Sequence, residues 1–600
     1  MGHGSHTAYS DPLYPRLATR TESYAPDGTL IRADAFEYTA VEASPDHFAR
    51  GLLSRHARAT GSPDEAVTLW AYDASGHPTA QTNLTGTGDP PVVTAFRYNA
   101  RGELAESRDA AGRTTLFDYD AMGRRTWHER RDASGSAIWW TGTYYNFNGE
   151  PEWIDGPRYY PEDFIWKKYD GAGRPKEEIR WRSRAKSDGS GVESPPGDDL
   201  YATAFFAHDA FGNLTSVIDA RGHLTELDYD AAGQLTARRH FEGREPDAGA
   251  LLARESFAYE PGGLVAARTN ALQGVTLTLY TADGKPRHQQ NPDGTTHEWR
   301  YDLTGRPTRQ SHANGSYTEF AYDDANRTAT KTLKNTEHGT LKTEHVQYDR
   351  RGNAIATTDP EGHTTTHAYD DLDRPKTALG PPATAASARQ AASFIYDAAG
   401  ITNIAENALG ERTVTIADAI GRPARIEIRN GAGEIVRLTR FEYAADHHAV
   451  TTIEGSGIGA PAITNTVFTD TLGANVLAKY PDGLERWSRD AAGLSLEHTD
   501  PMGRVTTFTH DALGRLTAKS ITENGTPKTE NFRYDPLGNL AARILPTGLT
   551  QTNAYDIAGR LAYSELVAPD GSRSERRDLT YYPAGTPGAG QPASVTDARG

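Results

Sequence analysis

Cysteine is absent from this 600-residue chain. That excludes disulfide scaffolds, thiolate zinc sites, iron–sulfur clusters and cysteine nucleophiles, whatever the redox compartment. Long apolar runs are missing too: no stretch of about 18 apolar residues offers a membrane span, and no apolar N-terminal segment resembles a secretory signal. Positive charge is in deficit, with 63 Lys and Arg against 80 Asp and Glu for a formal net charge of −17. General binding to nucleic acid or anionic membrane, which needs clustered basic residues, is therefore not expected. Apolar spacing at 3.6 residues is not sustained anywhere, and helix-like composition is confined to short pieces such as Ala385 to Ala392.

Hydrophobic residues make up only 37%, and Gly and Pro number 58 and 34. Such a composition leans toward disorder, but 29 Tyr, 17 Phe and 9 Trp at regular spacing argue for an ordered chain. The regularity is an internal repeat. Tyr-Asp followed by two residues and Gly recurs as Tyr72-Asp73 to Gly76, Tyr119-Asp120 to Gly123, Tyr229-Asp230 to Gly233, Tyr534-Asp535 to Gly538 and Tyr555-Asp556 to Gly559. The marks Asn99 and Asp120, Asp209 and Asp230, Asp302 and Asp323, Asp349 and Asp370 (after Tyr369), Asp490 and Asp511, and Asp535 and Asp556 each lie 21 residues apart. Degenerate marks keep the register, as in Tyr98-Asn99, His208-Asp209 and His510-Asp511 with Gly514.

A second Asp-x-x-Gly falls midway, at Asp109 to Gly112, Asp219 to Gly222, Asp359 to Gly362 and Asp500 to Gly503. A turn therefore comes every ten or eleven residues. Asp at the first turn position caps backbone amides, and Gly at the fourth accepts the left-handed conformation that closes a hairpin. Between turns, segments such as Arg113-Thr-Thr-Leu-Phe-Asp-Tyr119 alternate Thr, Tyr, Phe and Val on a period of two, which is strand chemistry. The expected fold is all-β: a long antiparallel ribbon of forty or more short strands, which must twist and curl. Residues 1 to 70 keep a weak version of the pattern and 71 to 600 carry the repeats. Trp139 to Trp166 and Ser183 to Asp199 read as irregular insertions, the second as an exposed loop. Asp597 to Gly600 supplies a middle turn whose Tyr-Asp partner is expected about eleven residues on, so the repeat is expected to continue past Gly600.

The run Asp511-Ala-Leu-Gly-Arg-Leu516, with Asp556-Ile-Ala-Gly-Arg-Leu561, Asp230-Ala-Ala-Gly-Gln-Leu235 and Asp535-Pro-Leu-Gly-Asn-Leu540, resembles the Rhs or YD-repeat family over roughly residues 70 to 600. The resemblance implies a β-ribbon spiralling into a hollow shell, as in bacterial Rhs toxins, the BC component of Tc toxins and teneurins. It also implies a function without chemistry of its own: enclosing a C-terminal toxin cargo of the same longer polypeptide, in a secreted or cell-surface protein, with secretion or surface components as further partners. The alternative it leaves open is a surface recognition module for carbohydrate or a receptor.

No catalytic residue, metal site or cofactor is expected within these residues. The repeated Asp residues are explained by turns rather than by paired catalytic carboxylates. Asp500-Pro501 and Asp535-Pro536 sit in the register of ordinary turns, not of cleavage motifs. His363 and His367 have i, i+4 spacing, but in a strand they stand about 13 Å apart and cannot share an ion. His447-His448 lacks a third ligand. Gly455 to Gly459 lacks the Lys-Ser/Thr of a phosphate loop and reads as a hairpin tip. The sequons Asn83-Leu-Thr85 and Asn213-Leu-Thr215 carry no weight in isolation. Trp139, Trp140, Tyr144 and Tyr145 form the best candidate binding surface, with packing inside the wall as the competing and favoured reading.

Overall fold

A computed structural model describes residues 4–10, 16–25, 27–39, 51–84, 90–157, 164–181, 184–186, 188–190, 192–193, 201–245, 249–335, 339–382, 389–397, 402–444, 447–457, 461–470, 473–490, 492–523, 525–586 and 588–597. Its fifty strands run from β1 (Gly4–Ala8) to β50 (Pro592–Asp597), with no helix among the described residues. Forty-eight of them form one unclosed antiparallel sheet in which each strand pairs with its sequence neighbours. The one detour is between β14 (Pro175–Trp181) and β17 (Tyr201–His208), which pair directly around the two-residue strands β15 (Arg184–Ala185) and β16 (Val192–Glu193). The described part of the helix-like piece at Ala385 to Ala392 lies in strand Arg389–Tyr396, where cross-strand pairing on both sides overrides local propensity. The described residues of Trp139 to Trp166 likewise continue the sheet, through strands Ala137–Tyr145, Pro151–Asp155 and Ile165–Tyr169.

Most strand residues are only half-buried, as a single layer requires. Buried apolar residues cluster locally, as at Ala449, Phe468, Val476 and Leu477. Order beyond the hairpin comes from the ribbon winding back onto itself. Asn270 donates to the Ile557 carbonyl across 287 residues, Arg221 to the Asp511 carbonyl across 290, and Arg58 pairs with Asp373 across 315. Arg560 pairs with Asp293 across 267 residues, and the Gly588 amide donates to the Asn314 carbonyl. These contacts fall in one range of offsets, 267 to 315 residues, so the strand ends of a first coil abut those of a second along a seam.

Candidate functional site: turn ladder, seam and aromatic stripe

The repeat unit is legible atom by atom at Asp120. Its backbone carbonyl accepts the Gly123 amide at 3.1 Å, and Gly123 holds φ at +80°. Asp120 Oδ1 accepts the amides of Met122 and Arg124, and Oδ2 accepts Arg124 Nε at 2.7 Å. The strand pairing slips by one residue just after the turn, the signature of a type I turn closed by a glycine bulge. Asp370, Asp511 and Asp556 bind Arg374, Arg515 and Arg560 in the same way. Asp230 and Asp535 bind Gln234 and Asn539 instead. Gly233, Gly514, Gly538 and Gly559 have φ between +78° and +91°.

In several repeats the tyrosine before the turn reaches back to the previous hairpin. Tyr119, Tyr369, Tyr534 and Tyr555 donate their hydroxyls to the carbonyls of Leu104, Ala354, Leu516 and Leu540 at 2.9 to 3.1 Å. The arginine held by one turn aspartate then lies over the next tyrosine ring: Arg124 over Tyr145, Arg515 over Tyr534 and Arg560 over Tyr581, 4.4 to 4.8 Å from the centroid. Tyr-Asp-x-x-Gly-Arg is thus a link in a chain: Asp orients Arg, Arg caps the next Tyr, and that Tyr ties its hairpin to the one before. The charges follow. The Arg174 side chain, with its own backbone amide, holds Asp170 down at about 2, while burial lifts the Tyr534 phenol above its usual range.

Along the seam ion pairs join the hydrogen bonds to backbone carbonyls. Arg221, 15% exposed, sits 3.1 Å from Asp490 and bonds the Asp511 carbonyl at 2.7 Å. Asp373 stands where the repeat expects glycine, at φ +60°, and is held by Arg58, Arg351 and Asn353. The Arg350 amide donates to Asp64 of the first coil. The Ser183 to Asp199 segment, expected as an exposed loop, is drawn into this seam where it is described: Arg486 donates to the Lys186 carbonyl and Lys479 to that of Ser190, and Gly189 is buried beside Leu484. Polar loop backbone finds its partners one coil away.

Trp139 and Trp140 lie on different faces of the sheet. On the tyrosine face Trp139 meets His128 edge-on, and Tyr145 donates to the Arg125 carbonyl. On the other face Trp140 stacks on Trp127 at 4.5 Å, and Trp153 stacks on Trp166 at 4.7 Å beside Tyr144, which is 59% exposed. Two adjacent pairs in one strand are therefore split by the strand alternation into two surfaces. The stripe on the second face was not legible from spacing alone, although cross-strand register joins its members.

The histidines singled out by the sequence make contacts to protein groups. His363 pairs with its own turn residue Asp359 at 3.1 Å, while His367 lies in strand Thr364–Tyr369. Asp359, Glu361 and His363 bring ligand atoms within 4.8 Å of one another on an exposed turn, but Asp359 is already engaged by the amides of Glu361 and His363. His447 is not in a strand: at φ +60° it accepts from Arg422 and reaches Ile138 across the seam. Asp500 and Asp535 cap their turns like other repeats. Residues 458–460 of the glycine-rich tip and Thr85 of the first sequon lie outside the described residues.

The RHS Repeat family model matches residues 98–137, 208–245, 348–386 and 489–527, each beginning one residue before a turn Asp or Asn. The ladder is continuous between and beyond these stretches, so repeats of the Rhs/YD type extend past the four matched segments. A stretch of 186 residues is 28% identical to the double-stranded DNA deaminase toxin A of Burkholderia cenocepacia (strain H111), covering 30% of this chain and 11% of that protein. The fold is shared with the crystal structure of TcdB2-TccC3-Cdc42 (TM-score 0.53, 12% identity, 97% of this chain and 44% of that one). It is shared also with TcdB2-TccC3-TEV (TM-score 0.50, 13% identity, 95% of this chain and 32% of that one). The chain thus spans a third to under a half of the length of these structures.

Proposed function

We propose that this chain is a wall segment of an encapsulating toxin shell, which surrounds a cargo domain of the same longer polypeptide and shields it until delivery. The observation that carries the reading is the seam. Twenty-five strands, from β23 (Val275–Tyr280) to β47 (Thr550–Tyr555), separate Asn270 from the Ile557 it contacts. At about 4.8 Å per strand one coil measures roughly 120 Å around and 40 Å across, room for a polypeptide inside a single-layer wall. The mechanism is steric: a wall sealed coil on coil keeps cargo from its target. The net charge of −17 favours a basic cargo by complementarity. Secretion or exposure at the cell surface, and a role in competition between bacteria, belong to the same reading, as does the absence of catalysis from these residues.

The test is intact mass, N-terminal sequencing and limited proteolysis of the protein purified from its producer. The reading expects a C-terminal fragment that is cleaved yet co-elutes and resists protease until the wall is unfolded. A fragment digested as fast in the complex as alone overturns it. The exposed Tyr144 beside Trp153 supports a second reading, surface recognition of carbohydrate. Glycan-array binding lost in Tyr144→Ala would favour it over the container.

A further inference from the structure

We propose that the seam holds an anion-binding site, in a cavity of about 400 Å³ where Ser23, Ile31 and Arg32 of the first coil face residues 306–352 of the second. Its lining departs from the acidic balance of the chain: five arginines, Arg32, Arg306, Arg327, Arg350 and Arg351, against Asp323, Asp324 and Asp349. Not all of this positive charge is committed. Arg32 is clamped on Asp34, and Arg306 is shared by Asp302 and Asp324. Arg351 is different. Its side chain is only 5% exposed; Nη1 is taken by the Asp370 carbonyl and Asp373, but Nε has no hydrogen-bond partner.

Asp349 Oδ2 is 3.7 Å from that Nε, too far for a hydrogen bond, and its oxygens are already taken by the Arg351 and Asn353 amides and the Asn353 side chain. A buried charged donor without an acceptor is costly, which marks the place where an acceptor belongs. Arg350 next to it contributes its backbone amide to Asp64, while its guanidinium makes no hydrogen bond or ion pair among the described residues. Two neighbouring guanidinium groups with open donors suit a small multiply charged anion carrying phosphate or carboxylate oxygens. Bound there, the anion would bridge the coils beside the Arg58–Asp373 and Asp64–Arg350 contacts.

Isothermal titration of the full chain with inorganic pyrophosphate, and separately with citrate, at matched ionic strength tests this. Saturable binding at one site per chain is expected. Arg350→Ala should weaken it about tenfold or more with little change in unliganded thermal unfolding, because that side chain makes no hydrogen bond or ion pair among the described residues. Arg97→Ala, at an exposed site elsewhere, should leave the affinity unchanged. Pyrophosphate bound more tightly than citrate assigns phosphate chemistry; the reverse assigns a polycarboxylate. No saturable binding of either up to about 10 mM, or affinity undiminished in Arg350→Ala, overturns the site.

Discussion

Replacing Gly514 tests the turn that every repeat reuses. Gly514 has φ +79°, and a Cβ built there meets nothing closer than Leu494 Cδ1 at 3.5 Å, an ordinary contact. The cost of Gly514→Ala is therefore one of backbone conformation, about 1–2 kcal/mol for an L-residue held in the left-handed region. In a long array of hairpins a local loss opens that hairpin before it melts the whole, so a single melting temperature is the wrong readout. Amide hydrogen exchange followed by mass spectrometry, under conditions where opening is fast and reversible, is the right one. Exchange in strands Val505–His510 and Leu516–Glu523 should accelerate about 5- to 30-fold, at RT near 0.6 kcal/mol, and remain unchanged in distant hairpins. Gly514→Asn should accelerate it less, because Asn visits this region more readily. Equal exchange in wild type and Gly514→Ala, or an Asn variant as open as the Ala variant, would refute the reasoning.

Tyr534→Phe removes the donor to the Leu516 carbonyl and should cost about 1 kcal/mol, read as roughly fivefold faster exchange in the same strands. A double-mutant cycle with Arg515→Ala should show coupling of about 0.5–1 kcal/mol, since that guanidinium lies over the Tyr534 ring. The ladder also sets two pH limits. Asp170 is held down at about 2, so its contribution is fully present above the usual carboxylate value near 4 and is lost as pH falls from there toward 2. Phenols such as Tyr443 and Tyr534 are raised by burial, so theirs is full below about 10 and fades as pH climbs past that. A circular-dichroism pH titration should show both flanks, and a transition centred between pH 5 and 8 would contradict them. Arg221→Ala should speed exchange at residues 219–222 and 489–511 together, because it opens the seam from both sides.

Hairpins and their period were readable because each turn needs a local residue type: Asp to cap amides, Gly to take positive φ, alternation between. Asp511 and Gly514 declare themselves within four residues. The reach of the ladder was less visible. Gly-Arg is plain in the sequence, yet Arg515 finds its ring at Tyr534, one hairpin on, and only the folded register brings them together. The seam left no periodic mark at all. Arg58, Arg221 and Asp293 look like any surface charge until the ribbon has coiled and brought a partner from 267 to 315 residues away. Asp373 shows the point in one residue: in the sequence it is a failed glycine, and in the fold its carboxylate fastens two coils. Trp139 and Trp140 are neighbours in the sequence, yet strand alternation sends them to different faces.

The coil-on-coil wall is the claim on which the container reading rests, and a cryo-electron microscopy map of the purified chain tests it most directly. The account predicts a single-layer wall of two stacked coils around a central void, with Arg221 against Asp490 and Asp293 against Arg560 at the junction. An extended ribbon with those residues apart, or two sheets packed face to face with no void, would contradict it.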